Sequence, residues 1–147
     1  MKVALVCSHG GHLTEMMAIA GAFDDHDSVY VTYDSSRAEG LEFDPYTLEN
    51  IGTSPIRMAL AFVAMARIFW SERPDVIVST GSEIAIPAFV VGKLFGTRTV
   101  FVESWCRVRT PSKTGRIVYP LADLFLVQWP PLLQEYGSKA KYEGAIL

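Results

Sequence analysis

Three short runs in this chain hold side chains and backbone that could do chemistry together. The first is Ser8-His9-Gly10-Gly11-His12, followed by Leu13-Thr14-Glu15, and the second is Thr80-Gly81-Ser82-Glu83. The third runs from Glu103 to Ser112 and, with Lys113, gathers three basic side chains, Arg107 and Arg109 being the others. Glycines carry no bulk, so a backbone there can approach a ligand closely. A turn through glycine into a helix start also aims amide N–H groups and a positive dipole end at one point. Guanidinium and ammonium groups suit the same negative charge. The set therefore reads as a binding place for an anion, most often a phosphate, with histidines beside it.

The elements that must position these runs are legible from periodicity. Val3-Ala4-Leu5-Val6 is a short apolar, β-branched run, as in a buried parallel strand. After the glycines the period becomes helical through Leu13, Met16, Met17, Ile19 and Ala20, predicting a helix over about residues 12 to 23. Further strands are expected at residues 29–33, 46–48, 76–79, 99–102 and 123–127. Ser54-Pro55 opens a helix in the usual way, a capping residue before proline, and residues 56–70 continue it to Pro74-Asp75. Within 56–70 only Arg57 and Arg67 are charged, so no solvent face is evident. That helix is either sandwiched in the core or touches lipid with its outer face; about 15 residues are too few to span. Pro87 places the next helix start near Ile86. Short helices are expected at 113–119 and 129–136, then an apolar tail from Tyr142 to Leu147.

Strands alternating with helices at this spacing mean a parallel sheet with helices on both faces. In such sheets ligands collect at the carboxyl ends of the strands. The three runs each follow a strand, so they should share one rim and converge on one anionic ligand.

The 147 residues, 50% hydrophobic, suffice for one core and read as one domain, residues 1–147. A net charge of −3 argues against nucleic acid as a partner. The charge is uneven, however. Residues 1–50 carry nine acids against Lys2 and Arg37, whereas Lys93, Arg98, Arg107, Arg109, Lys113 and Arg116 face Glu103 alone between 93 and 116. Cys7 and Cys106 match no metal or redox spacing and read as reduced thiols. Lys2 is followed by a five-residue apolar strand and then a polar loop, which is no secretory leader. A dinucleotide cofactor would want G-x-G-x-x-G and a later acid; Asp34 fits the acid, but adjacent Gly10 and Gly11, with Leu13 or Thr14 at the third position, do not fit the glycines.

The opening SHGGHLTEM resembles the glycine–glycine–histidine turn of the Alg-fourteen-like family and its PssD-like bacterial exopolysaccharide relatives. VSTGSEIAIPAFVVGKLFG, FVESWCRVRTPSKTG, YPLADLFLVQWP and KYEGAIL resemble further blocks of that family, so the likeness covers nearly the whole chain. More distantly the glycine turns are similar to the amino-terminal half of MurG-like glycosyltransferases. The resemblance implies a Rossmann-like parallel sheet equivalent to the N-terminal domain of a GT-B glycosyltransferase. It implies an acceptor-side subunit, active only with a donor-binding Alg-thirteen-like or PssE-like partner. The pair would transfer a sugar, N-acetylglucosamine in the eukaryotic case, from a UDP-sugar held by the partner to a polyprenyl- or dolichyl-pyrophosphate-linked sugar. A scaffold that only recruits the donor subunit is the alternative reading, and an NAD(P)-type protein the third. The eukaryotic members begin with a membrane-spanning segment, whereas here residue 2 already enters a strand. Peripheral docking on the cytoplasmic face is therefore expected, through residues 56–70 and the basic loop.

On that resemblance His12 is a candidate base for the acceptor hydroxyl, with phosphate binding or capping as its alternative; His9 reads as structural. Glu103 is the other candidate base, with an ion-pair role as its competitor, and Glu15 would orient His12 or favour the helix start. Ser8, Gly10, Gly11, Thr14, Glu15, Gly81, Ser82, Glu83, Ser104, Arg107, Arg109 and Lys113 would contact the acceptor and its pyrophosphate. Gln128, Trp129, Tyr142, Ile146 and Leu147 are expected to face the partner, although Gln128 and Trp129 could equally be structural and the tail from Tyr142 to Leu147 could instead be a self-packed strand. No cofactor and no metal are expected.

Overall fold

A computed structural model describes residues 1–39 and 41–146. In chain order the elements are β1 (Lys2–Cys7), α1 (Gly11–Ala20), β2 (Asp27–Tyr33), α2 (Ser36–Glu39), β3 (Tyr46–Leu48) and α3 (Pro55–Glu72). There follow β4 (Val76–Gly81), α4 (Ala85–Leu94), β5 (Arg98–Val102), α5 (Lys113–Val118), β6 (Leu124–Val127), α6 (Leu132–Tyr136) and β7 (Ala140–Tyr142). Among the described residues seven strands form one sheet, ordered β3-β2-β1-β4-β5-β6-β7, and every pairing is parallel. Strand order reverses between β1 and β4, the switch point at which such sheets open a crevice.

Alternation along the strands divides the core. Val3, Leu5, Cys7 and Val78 face Leu13 and Met16 of α1. Ala4, Val6, Ile77 and Phe101 face the other way, onto Ala61, Met65 and Phe69 of α3 and Ala88 and Phe89 of α4. Between Val6 and Cys7 the β1–β4 register shifts, so that Cys7 meets Gly81 while Val6 meets Ser79. Such an irregularity re-aims the chain where it leaves the sheet. It brings the ends of β1 and β4, and hence both glycine turns, together.

Most expected boundaries hold to a residue or two, with four physical exceptions. The last turn of α1 tightens into a 3-10 turn at Gly21–Phe23. The strand expected over 76–79 runs on through Thr80 and Gly81, which belong to β4 rather than to a loop. The helix expected from Trp129 begins at Leu132, because Pro130 and Pro131 restrict the residues before them. Ala140–Tyr142 adds a seventh strand beside β6, overlapping only the first residue of the tail for which a self-packed strand was the alternative reading. The proline-started helix behaves as its signals require: Ser54 Oγ accepts from Arg57 N at 3.3 Å, and Arg73 ends the helix in the left-handed region (φ 50°) before Pro74.

Candidate active site

The first glycine turn holds His12 in one tautomer. Gly10 (φ 84°) leaves the strand in a conformation that glycine adopts freely, and no side chain caps α1. Thr14 Oγ1 donates to Gly10 O at 3.2 Å, so its hydroxyl is engaged within the turn. His12 Nδ1 lies 2.9 Å from Thr80 O, and Thr80 Oγ1 donates back to His12 O at 2.7 Å. A carbonyl only accepts, so Nδ1 is the donor of this bond, and the lone pair of the neutral ring lies on Nε2. The ring rests against Gly81 (φ 124°), where a Cβ would lie 2.8 Å from His12 Cε1. Glycine is required at 81 on both counts.

The second turn carries a carboxylate. Ser82 is a non-glycine residue at φ 71°, and its Oγ donates to Glu83 Oε2 at 2.7 Å. Tyr33, at the end of β2, donates to Glu83 Oε1 at 3.0 Å. Burial alone would raise the Glu83 pKa; hydrogen bonds from Ser82, its own backbone amide and Tyr33 outweigh it and hold the group below the usual carboxylate range. Burial and the neighbouring carboxylate push the Tyr33 phenol up, so it stays a neutral donor.

The basic loop is braced by two buried carboxylates. Glu103, 1% exposed, accepts Ser104 N on Oε1 and, on Oε2, Ser112 N, Ser112 Oγ and the Tyr136 hydroxyl. Gly115 packs against the same group, and a Cβ there would lie 2.6 Å from Glu103 Oε2. Glu103 therefore ties the loop to the start of α5. It forms no ion pair with Arg107 among the described residues and does not line the cavity below, which corrects its expected part as a base. Glu15, 3% exposed, accepts Ser104 Oγ at 2.9 Å, Trp105 N at 3.2 Å and Gln128 Nε2 at 3.1 Å. It braces the loop instead of orienting His12. Arg107, Arg109 and Lys113 are exposed and form no ion pair among the described residues.

These loops enclose a cavity of about 710 Å³. Of the residues expected at the ligand, Gly11, His12, Glu15, Gly81, Ser82, Glu83, Ser104, Arg107 and Lys113 line it. Ser8, Gly10, Thr14 and Arg109 do not: Ser8 is buried with its hydroxyl on His9 O, and Gly10 and Thr14 shape the turn. Sequence reasoning missed Cys106, Thr110, Pro111, Ser112 and Thr114, which also line the wall. The signal for them was their place between charged residues of the basic loop, which a reading of charge alone passes over. Asp34, the acid a dinucleotide would need, is exposed and lies outside the lining.

The residues expected at a partner separate into two kinds. Gln128 is 1% exposed and faces inward; its Nε2 donates to Glu15 and to Glu103 O at 2.9 Å, and its Oε1 accepts Ile146 N at 2.9 Å. A side chain so enclosed cannot meet a partner. Trp129 Nε1 donates to Trp105 O at 2.6 Å and its ring lies against Trp105, 5.7 Å between centroids. Tyr142 is exposed and Ile146 half-buried, beside a small apolar recess lined by Ile19, Phe23, Val100 and Leu126; Leu147 lies outside the described residues. α3 is not sandwiched. Ala61, Met65 and Phe69 face the core, while Ile56 (74%), Leu60 (59%), Val63 (50%) and Trp70 (68%) form an exposed apolar stripe.

A doubly wound sheet with its crevice between two glycine turns defines the class, a GT-B type Rossmann-like domain. Solved structures agree on the fold: Acinetobacter baumannii MurG matches at TM-score 0.80 and 14% identity, over 97% of this chain and 45% of that one. UDP-GlcNAc 2-epimerase from Methanocaldococcus jannaschii matches at 0.78 and 17%, over 99% and 46%. The chain thus spans less than half of those structures. It belongs to the family described as "Oligosaccharide biosynthesis protein Alg14 like", whose model matches residues 48–146. Relatives include the "UDP-N-acetylglucosamine transferase subunit ALG14" of Homo sapiens, 26% identical over all of this chain and 83% of that protein. The subunit of the same name from Eremothecium gossypii is 49% identical over 60% of this chain and 42% of that protein.

Proposed function

We propose that this chain is the acceptor-binding and membrane-docking subunit of a two-chain glycosyltransferase. Its substrate would be a polyprenyl- or dolichyl-pyrophosphate-linked sugar, and its donor-binding partner would bring a UDP-sugar, with N-acetylglucosamine suggested by the relatives' names. The observation that carries the reading is His12: its Nδ1 is tied to Thr80 O, which leaves Nε2 for a ligand, in one cavity with Gly11, Arg107 and Lys113. The uncapped α1 start and the two cations suit a pyrophosphate. His12 Nε2 then takes the proton from the acceptor hydroxyl as that oxygen bonds to the donor's anomeric carbon. The bond from that carbon to the UDP oxygen breaks, and UDP leaves with the electron pair.

The stripe on α3 serves as the lipid contact in this reading. Among the described residues no helix is long and apolar enough to cross a membrane. Arg67 lies within the stripe, Arg73 stacks over Trp70 at 5.7 Å, and Trp70 meets Phe95 edge-on. Apolar area flanked by cations is what an anionic lipid surface attracts. The exposed strand end at Tyr142 and the segment to Ile146 are the proposed contact for the donor subunit.

The test is turnover by the chain co-expressed with its donor subunit. His12→Ala should lower the rate by roughly 10²- to 10⁴-fold, the usual weight of general-base catalysis, while the two chains still co-purify. A normal rate from that variant would favour the scaffold reading, under which only docking residues matter. Turnover by the isolated chain would overturn the two-chain assignment.

A further inference from the structure

We propose that Glu83 reads the acceptor sugar: its carboxylate accepts hydrogen bonds from sugar hydroxyls, while the pyrophosphate lies on the Arg107 and Lys113 side of the cavity. This rests on the acceptor-site reading above and gives it a direction.

Glu83 was expected, with Ser82, to contact the acceptor and its pyrophosphate without distinction between them. Its chemistry favours the sugar end. Hydrogen bonds keep the group ionised, and an anion facing a partly desolvated site repels a phosphate. Its side-chain partners are Tyr33 on one oxygen and Ser82 on the other, and its own and the Gly52 backbone amides also act on it. The group still lines the cavity, on the side away from Arg107 and Lys113, where a sugar would meet it with hydroxyls. Ser82 reaches it from a left-handed backbone that a non-glycine residue rarely adopts, a strain tolerated where it serves a site.

The sheet order sets the direction. Tyr33 ends β2 on one side of the switch point, and Glu83 leans to it from the end of β4. Arg107 and Lys113 follow β5 on the other side. His12, packed on Gly81, lies between the two. A ligand laid from the cations toward Tyr33 carries its sugar past His12 Nε2. Charge and strand order agree on that orientation.

The test uses two soluble probes: a ten-carbon prenyl pyrophosphate, and the same molecule carrying N-acetylglucosamine. Their affinities for the full chain are measured by calorimetry. Glu83→Gln should weaken the sugar-bearing probe about tenfold, as for a hydrogen bond to a charged group, and change the sugar-free probe less than about twofold. Tyr33→Phe, which loosens the carboxylate without removing it, should give a smaller loss on the sugar-bearing probe alone. Arg107→Ala should weaken both probes alike. If Glu83→Gln affects both probes equally, or neither, while Arg107→Ala still weakens both, the assignment of Glu83 fails and the acceptor site survives. Should the unaltered chain bind neither probe, both fall together.

Discussion

Two tyrosine–glutamate pairs flank the crevice, and their difference separates recognition from architecture. Tyr33 donates to Glu83, and Tyr136 donates to Glu103. Each tyrosine is held neutral, first by burial and then by its carboxylate. The surroundings differ. Glu83 lines the cavity and is only partly buried, with the Tyr33 and Ser82 hydroxyls and the Glu83 and Gly52 backbone amides acting on it. Glu103 is enclosed, and its oxygens are taken by two backbone amides and two hydroxyls. The lesson is that a carboxylate near a ligand loop is a ligand group only where it faces the cavity. Otherwise it is part of the wall.

The comparison breaks most directly by removing each carboxylate. Glu103→Ala leaves the Ser112 and Tyr136 hydroxyls and two amides without their acceptor, and should cost about 3 kcal/mol of stability. Glu83→Ala opens the cavity wall beside Ser82 and leaves the Tyr33 hydroxyl without its carboxylate, and should cost about 1 to 2 kcal/mol, less than Glu103→Ala. Denaturant midpoints at neutral pH check both. Equal losses would mean that the two pairs do the same work.

The glycines beside the pairs sharpen the contrast at a smaller scale. Gly115→Ala pushes a methyl into Tyr136, Glu103 and Ser112, a crowding that should cost about 2 kcal/mol and disturb the basic loop. Its binding consequence should be general, weakening sugar-bearing and sugar-free pyrophosphates alike. Gly81→Ala presses instead on the His12 ring, so its main effect should be on turnover.

Much of this could be read from residue types. Period and turn signals placed six strands and the crevice, because β-branched runs and glycine turns act locally. The convergence of three loops followed from each loop's place at the carboxyl end of a parallel strand. What could not be read was which polar groups are already occupied. Glu103 and Gln128 look like ligand and partner residues in sequence, yet their bonds go to Tyr136 and Ile146, 33 and 18 positions away. Glu15 likewise reaches Ser104 and Gln128 rather than the histidine one turn before it. The seventh strand was hidden because three residues beside a glycine-flanked tail show no period.

The smallest expected effect concerns acid. Because hydrogen bonds outweigh burial at Glu83, its folded pKa lies below that of the unfolded chain. A group depressed in this way stabilises the fold above the ordinary carboxylate value, roughly 4.3, and that contribution disappears as pH falls through the lower folded value. Glu83→Gln cannot titrate. Its stability should therefore differ from that of the unaltered chain by a constant amount between about pH 5 and 8, and the difference should shrink in more acid solution. For a partly exposed group the change is on the order of 1 kcal/mol or less. Urea midpoints taken at closely spaced pH values would resolve it. A gap that stays constant down to pH 2 would mean that Glu83 is not held ionised by Tyr33 and Ser82, and the carboxylate on the ligand side would then differ from its buried counterpart in exposure alone.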